Sequence, residues 1–580
     1  MLRPLGRFMV AVALAASATA YADAPAAEPE FRVYLDQLQE SGEFGYEQAL
    51  LLRFQRVFAP ERLPARHRSG GAWPAKSATL LIHEFDSVRS GISPEIFHEI
   101  DGMLGDRSRA TEIYATEHFR ISFDRDGVHA VPAPDLDASG IPDHVERVGA
   151  WAETAWQTLV QEDGFATPLT TDGRLDISFR QMSAYGYTDV RGGVPALVLH
   201  RNFEGFPANS DPQGSAYGAA KVTVAHELKH AIQYASSGWS EGGWLEADAT
   251  WAEDRVFPAT NDYVRYLPFG SPVSHPADWM PVSYEDCLWQ QVVAGTEGVD
   301  ALVRFFERRS ANRAEPVLVS FDETLRAGGS SLSRALETLG LWSYFSGANA
   351  TDRPVGFADA DRFPTPPLRA LLATAGDLVT DDLAPLGTHH VIVFPANRGG
   401  RPEIAFLADL GTAFSLNGIV THLSGARTVH SLPMVSPNSS AAELPVFWED
   451  VASVVLVASS LSLDSPSRYS MTVNALDAVG VRELETVAEL SLDFARPNPF
   501  RDRTTIAFSL GASGPVRLAI YDVAGRLVKS LHDGTQLESG SHEAIWNGLD
   551  QAGRLATPGM YYYRLEAGSS SASHRVLLLR

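Results

Sequence analysis

Cysteine is nearly missing from this chain: of 580 residues, one is cysteine, Cys287. No internal disulfide can form, so stability must come from packing and from any metal the chain binds. Cys287 lies in an apolar context, Cys287-Leu288-Trp289, and reads as a small buried side chain rather than a nucleophile. Positive charge is also scarce. Lys and Arg number 47 against 71 Asp and Glu, a net charge of −24. That balance argues against a nucleic-acid binder, which needs a basic face. Beyond the N-terminal signal no stretch reaches the ~18 apolar residues of a membrane span. Internal repeats and low-complexity tracts are absent. What remains is ordinary apolar content in a chain long enough for roughly three to four domains.

Residues 1–22 read as an export signal. Arg3 and Arg7 give a positive start, Phe8 to Ala16 an apolar run, and Ala20-Tyr21-Ala22 a cleavage site. A mature chain would begin at Asp23 and work outside the cell or on its outer surface. Residues 23–110 read as a helical segment, peripheral from residue 31 on, with Tyr46, Ala49, Leu50, Leu51, Phe54, Val57 and Phe58 at helical spacing and Pro60 and Pro64 as breakers. Ser69 to Ser77 reads as a loop. This segment is either a propeptide or an attached subdomain, and both readings stay open. Residues 111–350 read as an α+β unit: Phe119, Ile121 and Phe123 alternate like a strand, as do Leu175, Ile177 and Phe179, and helical patterns dominate after Val222. Two all-β modules are expected at 375–477 and 493–580, joined by a linker at 478–492.

The segment Val222 to Tyr234 holds His226-Glu227-Leu228-Lys229-His230. Residues four apart share a helix face, so both histidines can hold one metal ion. Zinc lowers the pKa of a water towards about 7, and a neighbouring carboxylate such as Glu227 can take its proton. A catalytic zinc needs a third protein ligand. Ser236 stands where a third histidine of the metzincin pattern would be. Downstream, Trp244-Leu245-Glu246 opens a second helix and offers Glu246, with Glu253 two turns on as a reserve.

These two segments resemble the gluzincin metallopeptidases. AHELKHAIQY followed by WLEADATWAEDRVF is similar to a group of secreted bacterial metallopeptidases. The resemblance implies a zincin-like fold, His226, His230 and Glu246 as zinc ligands, and Glu227 as general base. It favours Tyr284 among Tyr263, Tyr266, His275 and Tyr284 as the group that stabilises the oxyanion. Lys229 departs from the usual uncharged residue and either points to solvent or perturbs the site. Thr250 stands where thermolysin-like enzymes place an aspartate.

A second motif spans Asp135 to Glu146. Asp135, Asp137, Ser139, Asp143 and Glu146 fall at the side-chain positions of an EF-hand loop. Gly140 supplies the turn and Ile141 the backbone carbonyl. The expected ion is calcium, in a structural role. At the C-terminus PNPF, LAIYDVAGRLV, SGSHEAIWNGLDQAG and PGMYYYRLEAG resemble two families, the immunoglobulin-like domain of flagellar hook-capping proteins and the sorting domain of type IX secretion cargo. The resemblance implies a partner in outer-membrane secretion machinery.

The expectation is an exported zinc metallopeptidase acting on a protein or peptide. Its substrate would lie between an edge strand, read as Ala196 to His200, and the His226–His230 helix. The rival is a surface or adhesive binding protein whose metallopeptidase-like core is inactive and stabilised by metal.

Overall fold

Phe119, Ile121 and Phe123 are buried while Arg120 and Ser122 are half-buried, the alternation of a strand with one face on a core. A computed structural model of the chain describes residues 45–64, 67, 74–105, 112–279, 283–372, 377–395, 400–463, 465–474, 491–492, 495, 500–510, 513–522, 526–557, 559–568 and 570–578. The export signal, residues 23–44 and most of the expected linker lie outside them. The chain divides into two compact units, one of residues 1–374, 379–401 and 406–471, the other of residues 375–378, 402–405 and 472–580.

The first unit opens with helix α1 (Tyr46–Phe58), strand β1 (Ala75–Ser77), and helices α2 (Thr79–Val88) and α3 (Pro94–Leu104). Then follow β2 (Glu112–Ala115), β3 (Phe119–Phe123), α4 (Asp143–Trp156), β4 (Leu175–Arg180), β5 (Ala184–Arg191) and β6 (Val194–His200). These strands form one sheet in the order β1-β5-β6-β4-β3-β2. Strands β3, β4 and β6 run parallel, and β5 lies antiparallel to β6. Three expectations are corrected here. The strand at Ala196 to His200 is interior, flanked by β4 and β5, so it offers no free edge. The segment before residue 110 is not peripheral, because β1 pairs in parallel with β5 and extends the sheet. Ala75-Lys76-Ser77, read as loop, is a buried strand.

Helix α5 (Ser215–Ser237) crosses the sheet and is buried on nearly every side from Val222 to Gln233. It can lie close because Gly186 has no side chain: a Cβ there would fall 2.6 Å from Thr223 Cγ2 and 3.1 Å from Glu227 Cγ. Gly238, with φ of 65°, ends the helix in the left-handed region. The chain returns as α6 (Trp244–Val256), then α7 (Leu288–Glu297), α8 (Val299–Ala311), α9 (Val317–Ala327) and α10 (Leu332–Tyr344). Cys287 is fully buried before α7, as expected.

A β-sandwich follows, with one sheet built of β7 (Ala370–Leu372), β9 (Thr388–Val393), β11 (Phe414–His422), β12 (Arg427–Leu432) and β14 (Val451–Ser460). The other holds β8 (Leu378–Leu383), β10 (Glu403–Ala408), β13 (Ser439–Glu443) and β15 (Ser467–Val473). The module begins before residue 375, since β7 pairs with β9. The terminal unit has sheets β16-β17-β20 and β19-β18-β21-β22, formed by β16 (Ser491–Leu492), β17 (Thr504–Leu510), β18 (Gly514–Asp522), β19 (Leu527–Leu537), β20 (Gly540–Trp546), β21 (Gly559–Ala567) and β22 (Ser570–Leu578). Ser491 and Leu492, placed in the linker by sequence, pair with β17 and belong to this sandwich. Its core is built around Trp546, Tyr563, Phe508 and Leu518.

Candidate metal centre

Helices α5 and α6 pack antiparallel across a short turn and bring three side chains to one point. His226 Nε2 lies 3.1 Å from His230 Nε2 and 3.1 Å from Glu246 Oε2. His230 Nε2 lies 3.5 Å from the same oxygen. The outer nitrogens fix the inner ones. His226 Nδ1 meets Glu253 Oε1 at 2.7 Å. A carboxylate only accepts, so Nδ1 carries a proton. His230 Nδ1 meets Gln233 Oε1 at 2.7 Å. The Gln233 amide is oriented because its Nε2 donates to Leu245 O and Asp248 Oδ2. Glu253 therefore orients His226 rather than competing with Glu246 as a ligand.

Two imidazole nitrogens and one carboxylate oxygen converge here. Burial disfavours a charged His226, but hydrogen bonds and charge from Glu246 and Glu253 outweigh it and raise its pKa to about 10. Burial also disfavours a charged Glu246, yet the two histidines hold its carboxyl down at about 2. The pocket is built for a cation, and two imidazoles with one carboxylate are a donor set that suits zinc.

Glu227 is fully buried beside this group. Its Oε2 accepts from Thr79 Oγ1 at 2.9 Å and Thr188 Oγ1 at 2.8 Å. Its Oε1 is buried and has no hydrogen-bond partner among the described residues. Of the expected oxyanion groups, Tyr284 stands nearest, its ring 6.1 Å from that of His226. Tyr266 packs at a tilt against Tyr284, Tyr263 packs on Phe363, and His275 pairs with Ser274. Thr250 is buried on α6, its hydroxyl without a hydrogen-bond partner among the described residues.

Lys229 does not point to solvent. It is 0% exposed, its Nζ 3.0 Å from the centre of the Phe165 ring and near Trp251 and Phe306. Burial lowers its pKa to about 8, partly offset by Asp248 at 3.5 Å. It therefore faces an aromatic cage away from His226, His230 and Glu246.

Sequence reasoning missed several groups. Lys76 is buried between Glu253 Oε2, at 2.8 Å, and Asp262. Thr79, Thr188, Gln233 and Asp248 complete the outer shell. Only Gln233, one turn after His230, was within reach of a spacing argument.

In the loop after β3, Asp135, Asp137 and Asp143 come together, each offering an oxygen within 4.8 Å of the others. Ser139 N donates to Asp135 and Asp137, and Gly140, with φ of 87°, makes the turn. Ser139 Oγ lies against Ile141 N and Ile141 O. Glu146 falls outside this cluster, so the structure assembles part of the expected ligand set.

The family model of the FlgD Ig-like domain matches residues 501–571, within the terminal sandwich. No curated protein matches the chain. Among solved structures, PorZ, a surface component of the type-IX secretion system of Porphyromonas gingivalis, is 24% identical over 19% of this chain, with a TM-score of 0.13. Latent PorU from the same organism is 15% identical over 37% of this chain, with a TM-score of 0.17. The chain covers 14% and 19% of those two proteins. A DUF4785 family protein of Legionella pneumophila is 11% identical over 37% of this chain and 70% of its own, with a TM-score of 0.13. The protein is thus a multi-domain chain of helices and several sheets with a C-terminal Ig-like domain. Among the described residues no helix is long and apolar enough to cross a membrane.

Proposed function

We propose that this is an exported zinc metallopeptidase of zincin-like, gluzincin type. The observation that carries this reading is the convergence of His226 Nε2, His230 Nε2 and Glu246 Oε2, with both outer nitrogens tied to acceptors. Those three residues hold the metal. Zinc, when bound, supplies a Lewis acid and an acidified water. Glu227 Oε1 takes the proton of the attacking water as its oxygen bonds to the peptide carbonyl carbon, and delivers it to the amine as the C–N bond breaks. Thr188 steadies the other oxygen of Glu227 during both transfers. Tyr284 Oη is assigned to the developing oxyanion. Calcium bound by Asp135, Asp137, Ser139, the Ile141 carbonyl and Asp143 would brace the loop that leads into α4. The terminal Ig-like domain would engage outer-membrane secretion machinery and leave the protein free outside the cell or on its surface.

A second reading has support of its own. His226, Glu227, His230 and Glu246 are each at most 4% exposed, so the centre is closed. A closed centre also suits a surface binding protein whose core is held by metal and does no chemistry. Glu227→Gln separates the two. Under the peptidase reading the variant keeps one zinc and loses casein hydrolysis, measured before and after limited proteolysis. If wild type and variant bind zinc alike and neither cuts casein in either state, the binding reading replaces it.

A further inference from the structure

The closure has a local cause. The outer edge of β5 runs past Glu227, with Gly186 against its Cγ. An unpaired strand edge beside a catalytic group is where an extended peptide would add by main-chain hydrogen bonds. Here β1 holds that edge. Ala75 pairs with Ala184 and Ser77 with Gly186, and Ala78 N donates to Gly186 O at 3.0 Å. Resting on the metallopeptidase reading above, we infer that Ala75 to Thr79, with α2, is an inhibitory strap lying in the substrate's place, and that the chain as described is latent.

Four contacts carry this. Thr79 Oγ1 donates to Glu227 Oε2 at 2.9 Å, engaging the base. Tyr284 Oη donates to Ser77 O at 3.3 Å and accepts from Ser77 N at 3.2 Å, so the strap's own peptide occupies the tyrosine assigned to substrate. Lys76 reaches Glu253, the carboxylate that orients His226. On the other side His83 of α2 packs edge-on against Trp239, 5.3 Å between rings, and Trp239 donates to His230 O.

The packing is suited to release. The apolar core that contains α5 draws on no residue before Tyr114. Helices α1 to α3 form a separate apolar cluster that draws on Ala75, Ala184, Tyr187 and Val198 of the sheet and on Met182, and Arg180 adds hydrogen bonds to the carbonyls of Met103 and Leu104. The strap can therefore leave without unpacking the catalytic core, and the carboxylates of Glu253 and Asp262 would then meet water instead of Lys76.

The test uses full-length protein loaded with cobalt(II) and probed with acetohydroxamate, a small metal ligand. Ser77→Pro removes the N–H given to Tyr284 and weakens the strand, while Thr79→Val removes the hydroxyl given to Glu227. The strap predicts acetohydroxamate binding, followed by the visible spectrum, about tenfold faster in Ser77→Pro than in wild type, with a gain in casein hydrolysis. Faster binding without hydrolysis would uphold the strap and sink the peptidase reading. Equal binding rates, or a loss of hydrolysis at unchanged access, would overturn the strap and make the segment part of the working site. If Ser77→Pro does not fold, Thr79→Val decides, with a smaller shift in the same direction. Hydrogen exchange of the metal-free wild type gives a readout without metal. Residues 75–88 and 184–191 should open together while 222–233 stay protected, and joint opening of all three would contradict a strap.

Discussion

Replacing Lys229 by methionine should destabilise the first unit by about 3–5 kcal/mol, because it breaks a buried ion pair by removing one partner. The cage of Phe165, Trp251 and Phe306 would accept a methionine's thioether. The cost comes from Asp248. Burial already pushes its pKa up, and Lys229 is the first group opposing that push. Without the lysine the carboxylate keeps, among the described residues, the amide of Gln233. Asp248→Asn should cost less, about 1–3 kcal/mol, since a lysine already lowered to about 8 can shed its proton when its counter-charge goes. The double variant should fall within about 1 kcal/mol of wild type, because a buried pair replaced by neutral groups of similar size loses little. Urea unfolding at pH 7, followed by tryptophan fluorescence, gives the four corners of the cycle. A Lys229→Met protein as stable as wild type would refute the reasoning and mean that the Asp248 carboxyl is already protonated.

Glu253→Gln should lower zinc affinity about 10–100-fold yet leave one site, as expected of a group that only orients a ligand. Glu246→Gln should abolish tight binding; competition against a chelating dye distinguishes them, and the reverse order would exchange their roles. Burial lowers His144 to about 4, helped by Arg147, and burial likewise lowers His390 to about 4. Both are neutral when folded, whereas an unfolded histidine protonates near 6.5. Their stabilisation is therefore whole above that pH and fades as pH falls towards 4, by up to about 3 kcal/mol each. Thermal unfolding at pH 7.5 and 4.5 should show the loss, and His144→Phe should lessen it; an unchanged pH dependence would count against this origin. Added calcium should raise the melting temperature of wild type by the mass-action amount, about 2.7 kcal/mol at 100 times its Kd, and do so far less for Asp137→Asn. An equal rise in both would place the ion elsewhere.

The juxtaposition of His226, His230 and Glu246 was legible because it follows from helix geometry. The spacing of His226 and His230, and Glu246 at the start of a returning helix, needs only a turn of ordinary length. Glu253 was harder, since it shares a helix face with Glu246. What separates them is which imidazole nitrogen each meets, a matter of how α6 leans on α5. Lys229 and Lys76 were not legible, because a charged residue in sequence reads as solvent-facing until its partners are known. Asp262 lies 186 residues from Lys76, and Glu227 likewise has a distant partner in Thr79, 148 residues away. Strand β1 escaped because three residues after a Pro- and Gly-rich stretch carry no periodicity. The strand at Ala196 to His200 was visible, but its interior place depends on sheet order, which no local pattern encodes.

The most direct test of the metal centre is elemental analysis of the purified full-length protein after mild dialysis, beside His230→Ala. The account predicts about one zinc per chain in wild type and essentially none in the variant. A wild-type protein that holds no zinc, and takes up none when it is offered, would reduce His226, His230 and Glu246 to a buried hydrogen-bonded cluster and remove the basis for the peptidase.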